Sequence, residues 1–242
     1  KDKVSSCSIV FIAVPTPTTT NGFDDTYLRS ALTCVGKGSV VVIKSTTLPG
    51  TISTLQIDFP EIVILHSPEF LVEKTAAYDA ANPSRNLIGM PVDSDLHKEA
   101  ASRVLKVLPK AKYEAIMSSN ESELVKYAGN CFLYSKVIFM NILYDVVTAN
   151  GGSWDAVRSA LGEDSRIGHS HTQPVHDSGR GAGGHCFIKD FEAFRNHHDA
   201  LGLGDEAAAL LKAMVDYNNK LLVSSGKNLD LLKEVYGDSI PR

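Results

Sequence analysis

Val40-Val41-Val42-Ile43-Lys44-Ser45-Thr46-Thr47-Leu48-Pro49-Gly50 decides the fold. Four consecutive β-branched apolar residues leave no polar face, so the segment reads as a strand covered on both sides. The polar run from Lys44 to Gly50 closes it, and residues 51–56 read as a short helix. The same order recurs through the first half of the chain. Residues 9–14 form another continuous apolar run, buried on both faces, that ends in Pro15-Thr16-Pro17-Thr18, and residues 24–35 read as a helix. Residues 62–65 form a strand running into His66-Ser67-Pro68-Glu69-Phe70. Residues 86–89 and 113–116 are further strands, separated by a helix over 95–107. Strands alternating with helices predict parallel βαβ units. Ligands of open α/β sheets bind beyond the carboxyl ends of the strands, so the loops at Pro15, Thr46 and Glu69 are expected along one edge.

The pattern changes after residue 116. Ser118-Ser119-Asn120-Glu121 is a capping box, which predicts a helix of about 30 residues ending near Asn150 before Gly151-Gly152. A short helix over 153–161, a long loop over 163–185 rich in Gly, His and Ser, and helices over 189–201 and 205–236 complete the chain. A loop of that length in a compact domain is usually functional or disordered. The expected organisation is an α/β half over 1–116 and an all-α half over 117–242, joined by the long helix.

Composition narrows the functional classes. The net charge of −4 gives no electrostatic reason to expect nucleic acid. The four cysteines, Cys7, Cys34, Cys131 and Cys186, are scattered without a CxxC pair, as in a reduced cytoplasmic protein. The polar start Lys1-Asp2-Lys3-Val4-Ser5-Ser6 is unlike a signal peptide, and no apolar run approaches the roughly 18 residues of a membrane span, so no membrane association is expected.

Gly183-Gly184-His185-Cys186-Phe187-Ile188-Lys189-Asp190 carries the chemistry. Glycines before Cys186 allow close approach of a ligand. Lys189 adds positive charge near a thiol whose reactive form is the thiolate, and Asp190 is spaced to orient it or act as a base, which suits covalent catalysis. An isolated G-G-x-C also suits a buried structural cysteine at a helix start. Lys126 and Asn130 share one helix face by their i, i+4 spacing, as a site or as a solvated stripe. His169, His171, His176 and His185 crowd the long loop but lack a partner pair at zinc spacing, so no metal is expected.

Six segments, in order, resemble the UDP-glucose/GDP-mannose dehydrogenase family. They are residues 11–17, 44–51, Ser67-Pro68-Glu69-Phe70-Leu71-Val72-Glu73, 123–130, Arg166-Ile167-Gly168 and 183–190. The resemblance implies a partial Rossmann-like parallel sheet domain followed by an all-α helical domain. It also implies NAD as cofactor, a nucleotide sugar, UDP-glucose above all, as substrate, and a homodimer through the helical domain. Cys186 would hold the aldehyde between two hydride transfers, first as a thiohemiacetal and then as a thioester. Lys126 and Asn130 match the oxyanion donors, Asp190, Thr46 and Glu73 the groups that hold and activate water, and Glu69 a carboxylate near the sugar. Cofactor contacts are implied at Val14, Pro15, Thr16, Ser45, Thr46, Glu73 and Lys189. Substrate contacts are implied at Glu69, Phe70, Leu71, Lys126, Asn130, Arg166, Arg180 and Gly183, with Arg166 reaching a neighbouring subunit's site. Related single-step hydroxyacid dehydrogenases share the fold but need no thiol; a catalytically degenerate binding or oligomerisation module is the non-enzymatic alternative.

The sequence departs from the family's pattern. The family begins with a strand, a G-x-G-x-x-G turn that cradles a pyrophosphate and, further on, an acidic residue that holds the ribose, and none of these is found ahead of the strand at residues 9–14. That leaves an expectation of residues upstream of Lys1, of pairing with another chain, or of weak NAD binding. A third domain over the nucleotide base is likewise not found, as in compact phage members of the family. Ile188 replaces a proline, and Ala182 stands where an aromatic is common. The stripe Ala207, Leu210, Leu211, Met214, Leu221 and Leu222 suits a subunit contact or internal core.

Overall fold

The computed structural model describes residues 3–177, 179–238 and 240; the side chain of Glu73, expected in the catalytic set, lies outside the described residues. The elements run β1 (Ile9–Ile12), β2 (Thr18–Thr19), β3 (Gly22–Phe23), α1 (Thr26–Leu32), β4 (Val40–Ile43), α2 (Thr51–Asp58) and β5 (Val63–His66). Then follow α3 (Ala76–Ala81), β6 (Arg85–Met90), α4 (Asp95–Val107), β7 (Tyr113–Ser118) and α5 (Ser119–Ala149). The chain ends with α6 (Trp154–Gly162), β8 (Val175–His176), β9 (Gly179–Arg180), α7 (Gly184–Ala200), α8 (Asp205–Ser225) and α9 (Leu229–Tyr236). Two compact units result. The first comprises residues 1–17 and 23–127, the second residues 18–22 and 128–242.

The first unit is built on a five-stranded sheet in the order β1-β4-β5-β6-β7. β4 sits within it, buried along its whole length, as the unbroken apolar run requires. Its alternate residues feed two cores. Val41 and Ile43 join Ile12 and Ile64 against Leu28 and Leu32 of α1 and Ile52 and Leu55 of α2. Val40 and Val42 join Val63, Leu65 and Ile88 against Ala100, Ala101 and Val104 of α4.

Two expectations about this sheet are corrected. β6 runs antiparallel to β5, with His66 opposite Gly89, while β1-β4, β4-β5 and β6-β7 are parallel. The segment between β5 and β6 carries a 3-10 turn (Glu73–Thr75) and the six-residue α3, which buries no residue and forms no covering crossover. β1 is an edge strand, shorter than expected and not covered on both faces: Phe11 is 45 % exposed.

α5 begins in the first unit, at the expected box, and continues into the second. The Ser118 N–H donates to Glu121 Oε2 (2.8 Å) and the Glu121 N–H to Ser118 Oγ (3.3 Å). By length and composition alone, α5 could cross a membrane (mean hydropathy 1.3 over 18 residues, a third of them buried). The long expected helix over 205–236 is two helices, because Gly226 (φ +68°) takes the left-handed conformation that ends α8. Leu221 and Leu222 are therefore core: Leu222 packs with Ile188 of α7 and with Leu231, Leu232 and Val235 of α9. α7 starts at Gly184 rather than Lys189, which puts Cys186 in its first turn.

Candidate active site

Because β1, β4 and β5 are parallel, the loops that leave them share one edge of the first unit's sheet. Ser45 Oγ accepts from the Val14 N–H (3.0 Å) and donates to the Val14 carbonyl (2.7 Å). Thr16 Oγ1 donates to the Thr46 carbonyl (2.7 Å). These bonds explain why β1 stops at Ile12: Val14 is held by a side chain instead of a strand, and Pro15 and Pro17 have no N–H to extend the ladder.

The start of α5 closes on the loop after β4. Glu123 Oε1 accepts from Thr47 Oγ1 (2.9 Å) and the Ile52 N–H (3.1 Å), and Oε2 from the Gly50 N–H (2.9 Å). The carboxyl group thus caps α2. Burial outweighs these three donors and lifts its pKa to about 7. His66, fully buried, holds Ser122 Oγ through Nδ1 (2.7 Å). Burial pushes its pKa down to about 3, with the charges of Lys44 and Lys126 adding. One turn further on, Lys126 Nζ donates to the Glu69 carbonyl (2.7 Å) and stands 5.8 Å from the Phe70 ring centroid. Lys44 Nζ pairs with the Glu69 carboxylate (2.8 Å) and donates to Ser67 Oγ (3.1 Å). Glu69, Phe70 and Leu71 line a cavity of about 230 Å³ together with Lys44, Arg85 and Asn86. The Arg85 guanidinium covers the Phe70 ring at 3.8 Å.

The sheet edge fits part of a dinucleotide. Val14, Pro15, Thr16, Ser45 and Thr46 come together on adjacent parallel strand ends, where such folds bind the cofactor. Among the described residues, no G-x-G-x-x-G turn links a strand to a helix in the first unit's sheet; the glycine run between β9 and α7 belongs to the second unit.

In the second unit the exposed Cys186 lies in the first turn of α7. Asp190, one turn on, is 1 % exposed. Its Oδ2 accepts from Asn130 Nδ2 (2.6 Å) and its Oδ1 from Lys189 Nζ (2.5 Å). Lys189 is thus engaged by its neighbour's carboxylate. Cys131 is buried, and burial with the Asp190 charge pushes its thiol up to about 12, which removes it as a competing nucleophile. Arg166 folds onto Asp164 (2.6 Å) and remains 88 % exposed. Arg180 is bound to α5, through Asn141 (2.9 Å) and Asp145 (2.8 Å). Gly183 precedes α7, packed so closely that a Cβ there would lie 2.2 Å from Asn228 Oδ1.

Sequence reasoning did not single out Lys44, His66 or Glu123. Glu123 and Lys44 lie within segments that were read as motifs, but burial of a charged residue leaves no periodic trace. His66, at a strand end, reads as a loop histidine.

Both halves of the chain have counterparts in known proteins. Residues 1–108 match the NAD binding domain of the UDP-glucose/GDP-mannose dehydrogenase family, and residues 120–220 match its central domain. The chain is 30 % identical to UDP-glucose 6-dehydrogenase TuaD of Bacillus subtilis, over 98 % of its own length and 52 % of the relative's. It is 31 % identical to UDP-glucose 6-dehydrogenase AglM of Haloferax volcanii, over 96 % and 56 %. The structure of a UDP-glucose dehydrogenase from Pyrobaculum islandicum superposes with a TM-score of 0.78 at 32 % identity, covering 96 % of this chain and 54 % of that one. The chain spans about half the length of the curated relatives it matches. With matches on both domains, across most of its residues, the chain belongs to the UDP-glucose/GDP-mannose dehydrogenase family.

Proposed function

We propose that this protein oxidises a nucleotide sugar, UDP-glucose, to the uronic acid, with residues 1–116 as a partial NAD-binding domain and residues 117–242 as the helical central domain. NAD, when bound, supplies the hydride acceptor for both oxidations; Val14, Pro15, Thr16, Ser45, Thr46, Glu73 and Lys189 are the residues assigned to it. The sugar's primary alcohol gives up a hydride and a proton to become an aldehyde. The Cys186 sulfur then adds to the carbonyl carbon and the oxygen takes a proton, which gives a thiohemiacetal. Loss of a second hydride and a proton leaves a thioester, and water cleaves it to the acid and the free thiol. Lys126 and Asn130, one turn apart on α5, are the donors assigned to the developing oxyanions. Asp190, Thr46 and Glu73 hold and activate the water, and Glu69 faces the sugar with Phe70 and Leu71. Arg166, Arg180 and Gly183 are assigned to the rest of the substrate, Arg166 in a neighbouring subunit's site.

The observation that carries this reading is the contrast between the two thiols of the second unit: Cys186 is exposed in the first turn of α7, one turn before a carboxylate, while Cys131 is buried. A single-step hydroxyacid oxidation needs no such thiol. The test is NADH formation by the 242-residue protein from NAD and UDP-glucose. Two NADH per sugar are expected, with acid formation abolished in Cys186→Ser. Full acid formation by that variant would end the thioester mechanism, and NAD reduction by neither protein would favour a binding module.

We infer a homodimer through α5. Phe132, Phe139, Ile142 and Val146 are 68, 58, 46 and 52 % exposed at spacings of 7, 3 and 4, one continuous apolar stripe. Lys136 and Asp145 on the same helix are held by the Ile167 carbonyl and by Arg180, engagements that favour a protein partner over lipid. The assigned setting is the cytoplasm.

A further inference from the structure

The loop before Cys186 is held by side chains that the proposed reaction does not use. Asn218, 1 % exposed on α8, pairs with Ala182 as a neighbouring strand would: its Oδ1 accepts from the Ala182 N–H (2.7 Å) and its Nδ2 donates to the Ala182 carbonyl (3.0 Å). Lys227 Nζ donates to the Gly181 carbonyl (3.1 Å), and the Arg180 N–H donates to Ser225 Oγ (3.1 Å). The Gly184 N–H donates to Asn228 Oδ1 (3.0 Å). The glycines record how close these anchors come. A Cβ on Gly181 would lie 2.9 Å from Asn218 Oδ1, and one on Gly183 would lie 2.8 Å from Lys227 Cε and nearer still to Asn228.

Gly184 is the first residue of α7, and its N–H is one of the donors that a helix start leaves without a partner. Gly183, at the N-cap position, has no side chain to supply one. Asn228 occupies the N-cap position of α9, where an asparagine normally turns its oxygen onto its own helix. Here its side chain makes no cap bond to α9 and caps α7 instead, from a left-handed backbone (φ +53°) that asparagine tolerates.

We infer that Asn228, together with Asn218, is a positioning residue for Cys186: capping of α7 from a different helix fixes the turn that presents the thiol. The inference rests on the assignment of Cys186 as nucleophile. Asn228→Gly tests it, because glycine removes Oδ1 while keeping the left-handed backbone free of strain; Asn228→Asp keeps an acceptor at the same place. Both are compared with the unaltered 242-residue protein. Amide hydrogen exchange at Gly184 and Cys186 should accelerate about tenfold in Asn228→Gly while the rest of α7 is unchanged. Uronic acid formation should lose about tenfold in kcat at constant KM, since misplacing a reacting group slows the chemistry without weakening binding. Asn228→Asp should restore both. Native exchange in Asn228→Gly, or fast exchange with unaltered kcat, would overturn the inference. Absence of NADH from the unaltered protein would end the dehydrogenase reading separately. Exchange and the rate of Cys186 alkylation by iodoacetamide would then decide: both changed by the glycine and restored by the aspartate supports positioning, and either unchanged refutes it. If Asn228→Gly does not fold, Asn218→Asp, which keeps only the bond from the Ala182 N–H, should speed exchange at Gly181–Gly184, and unaltered exchange there would refute the inference.

Discussion

Glu123 and His66 share one buried network, yet their protonation affects stability in opposite senses. His66 titrates near 3 in the fold against 6.5 free, so the stability it contributes is complete above 6.5 and is lost as pH falls toward 3. Glu123 titrates near 7 against 4.5, so its contribution is complete below 4.5 and is lost as pH rises toward 7. Between 4.5 and 6.5 the two slopes cancel, and the stability of the first unit should be nearly flat. Glu123→Gln removes one slope. Its stability should climb with pH across that window by about 3 kcal/mol, from the free energy of one proton per pH unit. Urea midpoints at three pH values measure this, and a flat Glu123→Gln profile would show that His66 is not held neutral by the fold across the window. Asp190 offers a second test at this scale. It is buried with partners on both oxygens, so Asp190→Ala strands Asn130 and Lys189 and should cost about 3 kcal/mol in a denaturant titration of the second unit. A loss below about 1 kcal/mol would mean that the carboxylate is not held as described.

Elements were legible where local signals agree. β4 and α4 follow the residues expected of them, the first from an unbroken β-branched run; Ser94 Oγ, which accepts from the His97 N–H (3.3 Å), caps the second. The start of α5 followed from its capping box. What was not legible depends on partners far along the chain. The sense of β6 depends on how the segment after β5 packs, and the start of α7 depends on Asn228, 44 residues away. The break between α8 and α9 had a sign in Gly226, which helical spacing across it concealed. The candidate site divides the same way: Cys186, Lys126 and Glu69 stood out as motif residues, but the cap on α7 and the buried partners of Thr47 did not. The α5 stripe supports a prediction at this scale. Phe139→Glu places a charge in the middle of the exposed apolar face, and loss of a central aromatic anchor typically costs an interface at least about 2 kcal/mol. Light scattering should show a dimer for the unaltered protein and a monomer for Phe139→Glu, with the same circular dichroism; an unaltered protein that is monomeric at micromolar concentration would remove the dimer.

The opposed titrations of the buried network lie on one side of the molecule's division. His66 and Glu123 belong to the first unit, while the single tryptophan, Trp154, belongs to the second. Trp154 is buried and meets the Tyr144 ring edge-on (centroids 5.7 Å apart), so its fluorescence reports on the second unit. Below pH 4.5 the Glu123 contribution is saturated and only that of His66 keeps falling, by about 2 kcal/mol in all between pH 4.5 and 3. The covalent link opposes separation, because α5 supplies its first turns to one unit and the remainder to the other. Helices fray from their ends, however, and losing the first turns of α5 leaves more than five turns in the second unit. Acid titration should therefore proceed in two steps. Far-UV circular dichroism should fall first, with the first unit's sheet, and Trp154 fluorescence should follow at lower pH. Replacing His66 with glutamine, which cannot take up the proton, should move the first step down and leave the second in place. Coincident transitions in the unaltered protein, shifted together by His66→Gln, would show instead that α5 joins the two units into one cooperative fold.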